Sequence, residues 1–468
     1  MKHRLTLTWT KTLLTLTVLS LPWVAQSAEP KHMLVVTATK GFRHSSIPTA
    51  ERILAELGKE SGVFDVDYVR GGPDGRDAAD LKEKMNADAL KKYDGVIFAN
   101  TTGDLEIPDK EAFLAWIKTG KAFVGMHSCS DTYPHFPPYI EMLGGEFLTH
   151  QAQAQVECLN MDPSSPATKH LGPTFNVFDE IYILKNFHRG KVHGLLTLDK
   201  HPNSRLPGDY AIAWCKEYGQ GRVFYTSLGH REDVWDADPN LKDRRNPVEV
   251  SKAYQAHILG GIKWALGIER GDAKPQSTRL ALSPNEVQAG FRPLFNGEDL
   301  TGWHLRHAEG TASWSAQNGM LVNTIPKDGH GTDLVTDEKF QNFTARYEFM
   351  VPKGSNSGFY LRGRHEIQIL DDYDAGQTGP GGNGSFYNHT TASKFVSRKP
   401  GEWQTTEVTL IGNKASVTLN GVKIHDNVVL DRATGGELDG NVGAPGSFFL
   451  QGDHGAIAFR NMRVKPLP

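Results

Sequence analysis

The sequence predicts two domains of different class, a doubly wound α/β domain followed by an all-β antiparallel sandwich of jelly-roll type. Three observations carry this. The chain has 468 residues, more than one ordinary domain holds. From His32 to about Gly267, apolar runs of strand length alternate with helical patterns, the mark of a parallel sheet. From about Phe291, short strands follow one another between Gly and Asn turns without helices. Apolar residues at 38% and charged residues at 22% suit globular cores and exclude a disordered or coiled-coil body. The formal charge of −3 comes with no basic stripe, so no nucleic-acid partner is expected.

Residues 1–27 read as a secretory signal peptide. Lys2, His3, Arg4 and Lys11 make a basic start, and Leu13 to Leu21 an apolar run too short to span a bilayer. Ala25-Gln26-Ser27 supplies the small residues of a cleavage site. Cleavage removes three cations and no acid, taking the charge from −3 to −6. The mature protein is expected to be periplasmic or secreted, with no membrane anchor.

The first domain is read over residues 32–269. Met33 to Thr37 is a buried strand, Ile47 to Leu57 a helix, and Phe64 to Val69 an alternating strand. Gly95 to Ala99 and Ala122 to Met126 are further buried strands, with a helix over Pro108 to Lys118 between them. In the closing helix Asn246 is the cap, Pro247 the first turn, and Tyr254, Ile258, Ile262 and Ala265 part of the apolar stripe. Ligands gather beyond the carboxyl ends of such strands, which puts the loops after Thr39, Ala99 and Met126 at one rim. Residues 270–286 are polar and aperiodic, a linker. In the sandwich, residues 287–468, strands include Phe343 to Val351, Gly358 to Leu361 and His365 to Leu370. Asn420-Gly421 joins two more as a hairpin.

Chemistry in the first domain centres on histidines at strand ends. Lys40-Gly41-Phe42-Arg43-His44-Ser45 is neither a P-loop nor a dinucleotide fingerprint, so nucleotide has no support. His44 is there as a site residue, as a helix cap or as a solvated side chain. Gly125-Met126-His127-Ser128-Cys129-Ser130-Asp131 leaves a strand where a turn projects one side chain into the rim cleft, with His127 at the apex. Cys129 reads as a packed small residue rather than a nucleophile in an exported protein. The three cysteines, Cys129, Cys158 and Cys215, exclude a disulfide scaffold. His127 and Asp131 with the strand-end His150 and His230 make a candidate metal or acid–base cluster, although their spacing is not a zinc signature.

These pieces resemble the trehalose-utilisation (ThuA-like) family, a branch of the class I glutamine-amidotransferase-like, flavodoxin-like fold. The resemblance runs from His32 to Gly267. It rests on Gly41-Phe42-Arg43-His44, Gly125-Met126-His127-Ser128, Gly144-Gly145 with His150, Asp179-Glu180 with Tyr182, and Gly221-Arg222-Val223-Phe224-Tyr225 to Gly229-His230. It implies a sugar-processing role. His127 stands where the amidotransferase cysteine would be, so glutaminase activity does not carry over.

The densest polar segment of the second domain runs from Asn356 to Asp372. A period of two puts Arg362, Arg364, Glu366 and Gln368 on one face, a polar groove suited to sugar hydroxyls. Tyr360, Tyr373 and Tyr387 are candidate stacking surfaces, and Gln451, Asp453 and His454 add polar groups near the end of the chain. This half resembles the 3-keto-disaccharide hydrolase domain, a concanavalin-like sandwich, from Phe291 to Leu467. The matching pieces include Leu294-Phe295-Asn296-Gly297, Asn356-Ser357-Gly358, Glu366-Ile367-Gln368-Ile369-Leu370-Asp371 and Leu450-Gln451. The loop Gly384 to His389 departs from the family pattern and is expected to shape the substrate pocket.

The resemblance implies cleavage of a glycoside already oxidised at carbon 3, by β-elimination and hydration. Glu366 or His454 is then the base or the acid. Arg362, Arg364, Gln368, Gln451, Tyr387 and His389 are candidate sugar contacts, and Asp371 either orients a partner or holds a divalent metal as Lewis acid. The expected partner is a small carbohydrate, and no other cofactor is implied. A lectin-like sandwich that binds sugar without reacting is the competing reading.

Overall fold

The computed structural model describes residue 1 and residues 29–72, 74–76, 79–325 and 330–468, so the segment read as a signal peptide lies outside the described residues apart from Met1. β1 (Lys31–Val36), β2 (Phe64–Val69), β3 (Gly95–Ala99) and β4 (Ala122–Met126) are parallel, in the spatial order β2-β1-β3-β4. β3 and β4 are buried along their whole length because both faces are covered, whereas β2, at the edge, exposes part of its alternating pattern. The chain continues through β5 (Glu146–His150), β6 (Ala154–Asn160), β7 (Thr174–Asp179), β8 (Tyr182–Lys185), β9 (His193–Lys200), β10 (Pro207–Tyr218) and β11 (Gly221–Thr226).

β11 returns beside β4 in parallel, but β10, β9, β6 and β7 extend the sheet antiparallel. The order is β2-β1-β3-β4-β11-β10-β9-β6-β7, a mixed sheet in which antiparallel strands extend the expected parallel part. The connection between β10 and β11 explains part of this. Gly219-Gln220 is a two-residue link, and Gly219 has φ +64°, so it closes a hairpin and cannot make a parallel crossover. The closing helix spans Val248–Ala265 with Pro247 as its cap. Asn246 is not the cap, because its side chain brackets β7, accepting from Phe178 N at 2.8 Å and donating to Phe178 O at 2.8 Å.

The second domain contains β12 (Arg292–Pro293), β13 (Trp303–Leu305), β14 (Trp314–Gln317), β15 (Met320–Asn323), β16 (Leu334–Phe340) and β17 (Asn342–Met350). It continues with β18 (Asn356–Leu361), β19 (His365–Leu370), β20 (Gln404–Ile411), β21 (Lys414–Leu419), β22 (Val422–Val429), β23 (Gly446–Leu450) and β24 (Ile457–Leu467). One sheet has the order β14-β15-β24-β17-β20-β21-β22, with β12 also on β24; the other is β13-β16-β23-β18-β19. All their pairings are antiparallel, as the sandwich reading requires. Phe343, Phe359, Phe448 and Phe459 fill the space between them, and Tyr347 stacks on Phe359 with centroids 4.0 Å apart.

The linker is tied down. Gln276 exchanges two hydrogen bonds with the Gly194 backbone, and His193 Nδ1 donates to Lys274 O. The domains also meet directly: Trp403 Nε1 donates to Asp199 Oδ2 at 2.7 Å, and Lys200 Nζ to Gly401 O at 2.7 Å.

Candidate functional site

At the carboxyl ends of β1, β4 and β11, the sheet presents His44, His127 and His230 to one point. His127 follows β4 directly with φ +46°, a left-handed conformation that costs a side-chain-bearing residue roughly 1 kcal/mol and turns its ring toward the rim. Its Nδ1 lies 2.8 Å from Ser227 O; a carbonyl only accepts, so Nδ1 carries the proton and Nε2 keeps a lone pair. That Nε2 is buried without a hydrogen-bond partner among the described residues. The His44 ring sits 4.7 Å from that of His127 and 5.2 Å from that of His230, and its Nδ1 is 3.3 Å from Ser128 Oγ.

Glu180, in the turn between β7 and β8, completes the group. Its Oε1 is 3.3 Å from His230 Nδ1 and 3.8 Å from His127 Nε2, while Oε2 is 3.0 Å from His150 Nδ1. One donor atom from each of His44, His127, Glu180 and His230 lies within 4.8 Å of the others. Asp179 holds the turn that carries His230, accepting from Gly229 N at 2.7 Å and Arg231 N at 3.2 Å. A cavity of about 200 Å³ opens over the group, lined also by Phe42, Asp131, Phe147, His150 and Tyr182.

Burial sets the protonation states. It pulls His44 down to about 4, helped by neighbouring His230, and holds His127 well below the usual imidazole range, so both are neutral. In His230 burial acts the same way, but contact with Glu180 outweighs it and raises the value. Burial lifts Asp179 to about 6. Cys129, wholly enclosed, is pushed up to about 12, and all three cysteines are buried and unpaired. No thiolate chemistry is available there.

The structure thus brings His44, His127 and His230 together, sets His150 one step out against Glu180, and leaves Asp131 on the cavity wall outside the four-donor group. Glu180 was not among the candidate residues. Its signal was the Asp179-Glu180 pair ahead of Tyr182, one residue holding backbone and the other aimed inward.

The second site is built on β18, β19 and β23. Arg362, Gly363 and Arg364 form the β18–β19 turn, with Arg362 at φ +52°, so one alternation cannot run through them. This corrects their expected role. Arg362 is buried and donates to Gln341 O at 2.8 Å and to the Gly412 carbonyl. Arg364 makes a two-pronged pair with Asp439 at 2.7 and 2.8 Å and donates to Ala444 O at 2.9 Å. Both guanidinium groups hold loops rather than face a ligand.

Across the turn, Tyr360 pairs with Glu366 and Gly358 with Gln368, and Gln451 N donates to Gly358 O. Tyr360, Glu366, Gln368 and Gln451 alternate with core residues Phe359, Leu361, Ile367, Ile369 and Leu450, so they share the face turned away from the core. Gly358 leaves a notch among them: a Cβ there would sit 2.3 Å from Glu366 Oε1. Tyr360 stacks on Phe449 with centroids 3.7 Å apart and donates its hydroxyl to Glu366 Oε2 at 2.8 Å. Burial raises Glu366 from 4.5 to about 7, with the Tyr360 hydroxyl and His454 acting in the opposite sense. Gln368 Oε1 and Gln451 Oε1 are buried and unpartnered among the described residues, two acceptors free for hydroxyl groups.

His454 is half-exposed and pairs through Nδ1 with Asp453. Tyr387 joins the site through its backbone, donating to Glu366 O at 3.2 Å. Two expectations fail on geometry. Asp371 accepts from Gly354 N at 2.8 Å in a turn, five residues and roughly 17 Å along the strand from Glu366. His389 has both ring nitrogens engaged, with Thr390 Oγ1 at 2.8 Å and Asp431 Oδ1 at 3.0 Å, so it braces its loop.

Residues 290–465 match the 3-keto-alpha-glucoside-1,2-lyase-like domain, so the chain joins an α/β domain to a sandwich domain of that description. The chain belongs to the trehalose-utilisation (ThuA) family, whose match runs over residues 32–265. Over 79 residues it is 34% identical to the 3-keto-disaccharide hydrolase of Bacteroides thetaiotaomicron, a stretch that is 15% of this chain and spans only 27% of that relative. Among solved structures, a candidate ThuA-like protein of Parabacteroides merdae is 19% identical with a TM-score of 0.41, covering 51% of this chain and 90% of its own. A candidate glycosyl hydrolase of Parabacteroides distasonis is 22% identical with a TM-score of 0.35, covering 40% of this chain and 99% of its own.

Proposed function

We propose that the second domain cleaves 3-keto-glycosides, 3-keto-disaccharides among them, by β-elimination and hydration. The observation that carries the reading is the Glu366 carboxylate, buried beside the Gly358 notch and held at about 7, where a general base works best near neutral pH. The carbon-3 ketone acidifies the proton on carbon 2. Glu366 takes that proton, the electron pair forms the carbon 1–carbon 2 double bond, and the glycosidic oxygen leaves with a proton from His454, which Asp453 orients. Water then adds across the double bond. Gln368 and Gln451 accept from sugar hydroxyls. The domain match over residues 290–465 supports the substrate class.

Export is part of the same proposal, supported by the basic, apolar and small-residue order of residues 1–27. The experiment is product formation from a 3-keto-disaccharide by the full chain. Saturable binding without product supports the lectin-like alternative and sinks the enzyme reading.

A further inference from the structure

We propose that His44, His127, His230 and Glu180 bind one divalent transition-metal ion, with an open coordination position facing the cavity beside them. The first domain thereby has a centre of its own, independent of the reaction at Glu366.

The His127 ring is 0% exposed, Ser227 O fixes the proton on Nδ1, and the Nε2 lone pair points into the group with no hydrogen-bond partner among the described residues. Leaving such an atom buried and unsatisfied is unfavourable. The neighbours do not relieve it. Glu180 Oε1 is an acceptor 3.8 Å away, and a carboxylate has no proton to offer a lone pair. His230 Nδ1 also lies 3.3 Å from that oxygen without hydrogen-bond alignment. A cation among these atoms satisfies all of them at once.

The donor set names the class of ion. Three imidazoles and one carboxylate suit zinc and its first-row neighbours, whereas magnesium and calcium take oxygen. The four donor atoms already lie within 4.8 Å of one another. Tetrahedral ligands at about 2.0–2.1 Å from zinc stand roughly 3.4 Å apart, so the widest pair closes by up to about 1.4 Å.

The surroundings are those of a metal site too. Ser227 O holds His127 and Ser128 Oγ holds His44, each through Nδ1; His150 holds the outer oxygen of Glu180; Asp179 holds the backbone that presents His230. Such outer contacts aim ligands and fix tautomers. A protein that supplies four ligands and leaves a cavity of about 200 Å³ over them leaves room for water or an oxygen of a small polyhydroxylated ligand.

The test uses the full chain, stripped with chelator and titrated with Co²⁺ and then Zn²⁺. The expected result is one Co²⁺ per chain with visible d–d absorption of low-coordinate geometry, displaced by Zn²⁺, and a rise in melting temperature. Glu180→Gln and His230→Ala are each expected to weaken binding by about 100-fold or more, and His150→Ala, which acts through Glu180, by roughly 10-fold to 100-fold. Melting of each stripped variant near the stripped wild type separates ligand loss from misfolding. Absence of stoichiometric binding by the wild type, or wild-type affinity in both Glu180→Gln and His230→Ala, overturns the proposal.

Discussion

The hydroxyl of Tyr360 donates to Glu366 Oε2 at 2.8 Å from the directly opposite position on the neighbouring strand. A hydrogen bond to a carboxylate favours its ionised form, so this contact restrains the upward push of burial. Tyr360→Phe keeps the ring stacked on Phe449 and removes only the donor. The acid limb of the kcat/KM profile for a 3-keto-glycoside is therefore expected to move to higher pH, with the melting temperature nearly unchanged. An unmoved limb contradicts the base assignment.

The pH dependence of the wild type follows from the same group. Glu366 acts as a base only when ionised, so kcat/KM is expected to rise through about pH 7. Stability runs the other way. The unfolded chain loses this proton near 4.5 and the folded chain near 7, so stability falls between those values and is level above them. Compared with Glu366→Gln, the loss is on the order of 3 kcal/mol at the plateau. Denaturant melts of both proteins at pH 5 and pH 8 read it directly.

Gly358 separates site geometry from fold. A Cβ at this position meets Glu366 Oε1 at 2.3 Å, the far end of a flexible side chain rather than backbone. Gly358→Ala is expected to displace the carboxylate, cutting turnover by roughly 10²-fold or more while folding normally. Full turnover with a normal fold would show that the carboxylate position is irrelevant.

Arg362 and Arg364 test the corrected reading of the turn. Their guanidinium groups satisfy buried carbonyls and Asp439, so Arg364→Ala is expected to cost at least about 2 kcal/mol in denaturant unfolding. The protein that remains folded keeps its KM. A raised KM without loss of stability returns these residues to the substrate.

The elements that were legible in the sequence are those whose pattern is local. β3 and β4 read as strands because both faces are covered and every residue is apolar, and Asn420-Gly421 read as a hairpin because φ values of +51° and +79° need that pair. The direction of β6, β7, β9 and β10 was not legible, since parallel and antiparallel neighbours bury the same side chains. The turn at Arg362 was not legible, because Arg362 takes a left-handed conformation unusual for its type and ends an alternation that the residue types continue. The histidines were legible as strand-end residues beside a rim. Their fourth partner, Glu180, comes from a turn that only the mixed part of the sheet brings back.

The central claim is that Glu366 removes the carbon-2 proton before the glycosidic bond breaks. The measurement that meets it most directly is turnover of a 3-keto-disaccharide deuterated at carbon 2. Slowed cleavage is expected, with the label lost to solvent and both effects absent along with activity in Glu366→Gln. Cleavage at the unlabelled rate with deuterium retained at carbon 2 contradicts it.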